Sequence, residues 1–133
     1  MHLIVCIDER DGLSFCGHRL SQDRLLNQRI LQLADRGKLW MNAYSARLFP
    51  PGAVVVDEDF LQKAGPGDYC FLETTPLGEA YENLESVILC HWNRSYPSTV
   101  KFPRKLLESM HFAAAEAFPG SSHDKITMER FVR

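Results

Sequence analysis

The stretch from Gly12 to Met41 limits the possible folds more than any other part of the chain. A polar segment with two glycines, Gly12-Leu-Ser-Phe-Cys-Gly-His-Arg19, follows a continuous apolar run, Leu3–Ile7. It leads through Ser21 and Asp23 into a periodic segment. There Leu25, Leu26, Ile30, Leu31 and Leu33 recur at helical spacing, with Arg24, Gln28, Arg29 and Gln32 opposite. That spacing predicts an amphipathic helix. Ser21 has the chemistry of its N-cap, Asp23 falls in the first turn where the helix dipole favours an acid, and Gly37 ends it. Leu39-Trp-Met41 then returns as a second strand. Strand, polar loop, helix and strand in this order place Asp23 beside a cleft between two strands.

Leu3–Ile7 is bounded by Asp8-Glu-Arg-Asp-Gly12, and its length and β-branched content suit a central strand buried on both faces. The pattern continues downstream. Asn42 caps a short helix running to Phe49, and Pro50-Pro51-Gly52 ends it. Ala53–Val56 predicts a third strand, Asp57–Ala64 a helical turn, Tyr69–Leu72 a fourth strand, Pro76–Asn83 a helix of weak propensity, and Val87–Trp92 a fifth strand. Met110–Ala114 and Ile126–Val132 form a final antiparallel pair, the first equally readable as helix on its alanines. Strands alternating with helices, then strands alone, indicate one α/β domain over residues 1–133. Its sheet is mostly parallel and flanked by helices, with a C-terminal antiparallel hairpin.

The balance of 15 basic against 17 acidic residues gives a net charge of −2, so nucleic acid is not an expected partner. No apolar stretch approaches the ~20 residues of a membrane span. Cys6, Cys16, Cys70 and Cys90 make no Cys-x-x-Cys pair, and the first residues carry no basic leader. A reducing cytoplasm without disulfides is the expected setting. No His and Cys spacing fits a metal site. Nothing in the sequence points to an oligomeric state.

Among residues able to do chemistry, Asp23 is the first candidate. It reads as a cleft carboxylate for a basic group or as a proton donor, against an exposed helix-start acid whose loss costs about 0.3–1 kcal/mol. Arg24 is placed to neutralise it. His18, in the same loop, reads as a general base oriented by Asp23, or as a solvated loop residue. His91 reads as a half-buried, hydrogen-bonded strand residue. His123, in Gly120-Ser-Ser-His-Asp124, reads as part of a turn, with a small polar pocket as the alternative. Neighbouring Ser122, His123 and Asp124 cannot form a triad with one another.

Several short motifs, in order, resemble dihydrofolate reductase. They are Leu3–Ile7 with Gly12-Leu13, Leu20-Ser-Gln-Asp23, Lys38-Leu-Trp-Met-Asn42, Leu84–His91, Phe102-Pro103, and Ser122-His123 with Thr127 and Glu129. The resemblance implies that fold, with Asp23 as the substrate-binding acid. It implies ligand contacts from Cys6, Leu13, Arg24, Asn27, Met41 and Cys90. Cofactor contacts would fall at Asn42, Ser45, Glu73, Thr74 and Thr75. The departures are pointed. Glu73-Thr74-Thr75-Pro76 stands where the family has a Gly-Gly pair for the cofactor diphosphate, so a carboxylate replaces glycine where an anion docks. Asn42-Ala-Tyr-Ser45 lacks the phosphate-binding cation. The segment between Phe49 and Val54 is too short for the adenosine-binding strand, and Cys90 replaces a threonine. NADPH is therefore disfavoured, and no cofactor is expected. The first functional expectation is a small molecule or protein partner bound between Asp23, the Gly12–Gly17 loop and Cys90. The second is a reductase with a nicotinamide or flavin cofactor in a non-standard site. The third is nucleotide or nucleic-acid processing, marked by a groove joining Arg19, Arg24, Arg29, Arg94 and Lys101.

Overall fold

The computed structural model describes residues 1–78 and 80–133. Strands β1 (His2–Ile7), β4 (Leu39–Met41), β5 (Val55–Val56), β6 (Tyr69–Phe71), β7 (Ser86–His91), β9 (His111–Phe118) and β10 (Ile126–Val132) form one sheet. Its order is β5-β4-β6-β1-β7-β10-β9. From β5 to β7 every pairing is parallel, and β7, β10 and β9 pair antiparallel. The alternative helix at Met110–Ala114 is not formed. Those alanines lie on an edge strand, paired with β10 across a bulge at Arg130/Phe131.

β1 sits at the centre, in register with β7 from His2↔Ser86 to Ile7↔His91. Because side chains alternate, Leu3, Val5 and Ile7 enter one core with Val87 and Leu89, while Ile4 and Cys6 enter another with Ile88 and Cys90. A strand buried on both faces has no polar positions to spend, which is why both runs are continuously apolar. Each such side chain contributes about 1.5–3 kcal/mol by leaving water.

The two faces are covered unequally. On the Ile4 face lies helix α1 (Arg24–Leu33), which inserts Leu26 and Ile30. Among the described residues the opposite face carries no long helix: it is covered by the short helix α3 (Phe60–Lys63), two 3-10 segments, Ala80–Asn83 and Arg104–Ser109, and side chains such as Leu13 and Phe102. The helix expected over Pro76–Asn83 is thus reduced to a 3-10 turn. Glu79, within that span, lies outside the described residues. The third strand shrinks from Ala53–Val56 to Val55–Val56. Helix α2 (Ala43–Ala46) is capped by Asn42, whose Oδ1 accepts from the Ser45 N–H at 2.9 Å.

The polar loop after β1 is a hairpin. β2 (Gly12–Phe15) and β3 (His18–Arg19) join through Cys16 and Gly17, with φ of 48° and 79°. Two positive φ values in a two-residue connection match the right-handed twist of the strands, which explains Gly17. β8 (Val100–Lys101) adds a third strand to this small sheet. Asp8 ties the hairpin down: its buried carboxylate accepts from the N–H groups of Gly12 (2.6 Å), Arg10 (2.9 Å) and Tyr96 (3.0 Å).

Candidate functional site

Asp23 is itself the N-cap of α1, in place of Ser21, and it is 1% exposed. Its carboxylate accepts from the backbone N–H groups of Leu26 (3.1 Å), Ser121 (3.1 Å) and Ser122 (2.9 Å). The Ser121 hydroxyl donates to it at 3.2 Å, and His123 Nδ1 lies 3.1 Å away. Burial pushes its pKa up. The N–H groups of Ser122, Ser121 and Leu26, with His123, outweigh that and hold it far below the usual carboxylate range. No side of this carboxylate is open to a ligand, so the expected Asp23 cleft is closed by the turn from Gly120 to His123. Arg24 is exposed and makes no ion pair with Asp23. Gly120 is packed against the carboxylate so closely that a Cβ would collide with it and with Ile126. Gly120→Ala is expected to lower stability by about 1–3 kcal/mol, read by urea denaturation.

His123 is buried, and its ring stacks on Trp92 at 4.6 Å. A carboxylate only accepts, so the Nδ1 proton points to Asp23, and Nε2 lies within hydrogen-bond distance of Ser21 Oγ (3.0 Å) and Tyr96 OH (3.1 Å). Ser21, His123 and Asp23 thus stand in the order of a hydrolytic triad. A triad also needs space for an acyl group and N–H donors for its oxyanion. Beside Ser21, between Arg19, Glu73 and Trp92, the free volume is about 10 Å³, roughly one water. The array serves as an anchor that fixes the 120–123 turn to the head of α1. The sequence offers a small polar pocket at His123 but not its partners Asp23 and Ser21, which lie about a hundred residues upstream. His18 is exposed at the tip of the β2–β3 hairpin, its ring 6.4 Å from that of Tyr44, and has no contact with Asp23.

The remaining expected ligand contacts disperse. Cys6, Met41 and Cys90 belong to the core beneath α1, and Leu13 to the core on the other face. Hydrogen bonding to Cys90, with burial, raises the Cys6 thiol well above its ordinary pKa, which keeps it inert. Asn27 is half-buried on α1.

The expected cofactor contacts do converge, just past the end of β6. Glu73 is 7% exposed and receives Arg19 Nε (2.9 Å) and Nη2 (3.0 Å) in a forked pair, with Ser45 Oγ donating at 2.8 Å. The Arg19 guanidinium also lies 4.2 Å above the Tyr44 ring. Asn42 Nδ2 donates to Thr75 Oγ1 at 3.1 Å. The position that the motif resemblance assigns to a phosphate holds an internal carboxylate, and the cation beside it is already engaged. These residues do not fit a dinucleotide diphosphate. Arg29 is likewise paired, with Glu116 at 3.5 Å, so Arg19 and Arg29 of the expected basic groove are held in ion pairs.

The thinly covered face is concave. A cleft of about 620 Å³ opens between β1, the segment that follows β6, β8 and the 104–109 turn. Its floor is Leu3, Val5, Leu72 and Phe102, all buried. Leu77 and Leu106 wall it, Thr74 and Thr75 enter at one end, and Lys101 and Lys105 stand at the rim. This volume is in the range of ordinary small-molecule sites, about 300–1,000 Å³. Of the expected ligand and cofactor contacts, Leu13, Thr74 and Thr75 border it. The signal for it was indirect: strands apolar on both faces, with no long helix encoded after Tyr69–Phe71 to cover one of them. Among the described residues, no three His, Cys, Asp or Glu side chains come together as a metal site. Nor, among the described residues, is any helix long and apolar enough to cross a membrane.

No family model matches the chain, and no curated protein is similar to it in sequence. A solved structure is similar: dihydrofolate reductase from Enterococcus faecalis, complexed with NADP(H) and RAB-propyl. It matches with a TM-score of 0.70 over 99% of this chain and 95% of that one, at 10% sequence identity. At that identity the likeness is one of fold, and the chain has a dihydrofolate reductase-like fold.

Proposed function

We propose that this chain is a small-molecule-binding protein built on the dihydrofolate reductase-like fold, that it does not bind NADPH at the fold's usual place, and that its ligand occupies the apolar cleft between β1, β8 and the 104–109 turn. The observation that carries the reading is Glu73. A buried carboxylate, forked to Arg19 and bonded to Ser45, stands at the phosphate position implied by the motif resemblance. A phosphate brought there would face a like charge and would first have to displace an internal cation. A cleft of about 620 Å³ lies instead on the other side of the sheet, lined mainly by apolar groups with a few polar ones at its edge. A cytoplasmic setting belongs to the same reading, with four cysteines free and three of them buried.

Thermal denaturation with ligands tests this. A ligand at ~100 times its dissociation constant stabilises by about 2.7 kcal/mol, several degrees for a domain of this size. NADPH and NADH are expected to give no shift. The fluorescent probe 1-anilinonaphthalene-8-sulfonate is expected to bind the native protein, and Val100→Trp, which projects a large ring into the cleft from a half-exposed position, is expected to reduce that binding. A multi-degree shift with NADPH overturns the proposal in favour of a reductase with an unusual phosphate site.

A further inference from the structure

We propose that the cleft takes an amphipathic carboxylate: an apolar chain over Leu3, Val5, Leu72 and Phe102, with its carboxylate between Lys105 and Lys101. The inference rests on the reading of this cleft as a ligand site and names the ligand class. Three observations at the rim carry it.

The first is an unused cation. Among the described residues Lys105 has no hydrogen-bond or ion-pair partner. Its neighbour Arg104 is fully engaged, forking onto Asp11 through Nε and Nη2 at 2.9 Å each. Two adjacent cations thus have opposite fates, and the one left free lines the apolar space. The second is Lys101. It donates from Nζ to the Arg10 carbonyl at 3.0 Å but has no carboxylate partner, so its charge and two remaining N–H groups are available. The third is the lining itself. It contains two lysines, the hydroxyls of Thr74, Thr75 and Ser109, and no Asp or Glu among the described residues. A neutral apolar ligand leaves both ammonium groups without a counter-charge, and a cationic one is repelled. An anion on an apolar body satisfies floor and rim together. The head group is a carboxylate because the rim offers two compact point charges and no guanidinium fork of the kind that matches a phosphate.

Isothermal titration with saturated C6 to C12 fatty acids, the matching n-alcohols, n-alkylamines and n-alkyl phosphates tests the assignment. Each added methylene is expected to tighten binding by about fourfold until the cleft is full. The carboxylate is expected to bind at least tenfold tighter than the alcohol of equal length, and the amine weakest. In the double variant Lys101→Gln/Lys105→Gln, both residues being exposed, the advantage over the alcohol is expected to vanish while the chain-length dependence persists. Val100→Trp is expected to weaken the whole series.

Equal affinity for acid, alcohol and amine overturns the carboxylate assignment and leaves the cleft as an apolar site. A phosphate that binds more than tenfold tighter than the acid overturns it in favour of a phosphorylated ligand. No binding by any series, or binding untouched by Val100→Trp, overturns the cleft as the site and the functional reading with it.

Discussion

Replacing Asp23 with alanine is expected to lower stability by about 3–5 kcal/mol, the range for removing one partner from a buried charged network. That is a fall of roughly 10–20 °C in Tm, readable by calorimetry or urea denaturation. The loss is large because the substitution strips the acceptor from the N–H groups of Leu26, Ser121 and Ser122 and from His123 at once. Each donor left dry adds a desolvation penalty. An exposed helix-start acid, as the sequence suggests, costs at most about 1 kcal/mol, so the two descriptions of Asp23 differ severalfold in a single measurement. A loss under 1 kcal/mol defeats the anchor assignment. The pH dependence has a definite sign. The folded-state pKa lies below the unfolded value near 3.9. The contribution is therefore complete above about pH 5 and lost as pH falls through the unfolded value and below it. Asp23→Asn removes the titrating group, so its gap from the parent protein narrows between pH 7 and pH 3.

Arg19→Ala is expected to cost about 3 kcal/mol, because it leaves Glu73 in a nearly dry site with only Ser45 as a donor. Removing both partners is expected to be milder than the sum of the single changes. An Arg19→Ala/Glu73→Ala cycle should return a coupling of about 1–3 kcal/mol. The Arg19 guanidinium is held charged despite its partial burial, chiefly by the Glu73 carboxylate. Additive losses in the cycle mean that the pair is solvated and that the phosphate position is open after all. The experiment therefore bears on the proposed loss of NADPH binding as much as on stability.

Much of this architecture is visible in the bare sequence because parallel sheets write themselves plainly. β1 and β7 are buried on both faces and so show unbroken apolar runs. The ten residues of α1 carry a clean apolar stripe because only one side meets the sheet. The β2–β3 hairpin hides because its turn is Cys16-Gly17, without the Asn-Gly or Asp-Gly pair that signals such a connection. The cap of α1 is misplaced by two residues because Ser21 and Asp23 both have capping chemistry. What selects Asp23 is the pair of N–H groups arriving from Ser121 and Ser122, about a hundred positions away. The same non-locality obscures the site. That Glu73 opposes an anion is legible from its place after β6, but that Arg19 and Ser45 lock it in place is not. The cleft is encoded by what the covering segments lack, two 3-10 turns where a long helix would fill the face, and no pattern of residues announces an empty volume.

The central place of β1 sets a timetable for the chain as it is made. Its two neighbours are β6 and β7, and His2 meets Ser86 across 84 intervening steps of sequence. At about 5–20 residues per second of ribosomal synthesis, β1 spends roughly 4–17 s before its longer partner has been assembled. Throughout that interval Leu3–Ile7 is a bare, uncharged, β-branched segment of the kind that seeds cross-strand association between molecules. The strand that holds the finished sheet together is also the nascent chain's chief liability. Slow translation upstream of Ser86 is expected to send more of this protein to chaperones and inclusion bodies than a loss of native contacts would.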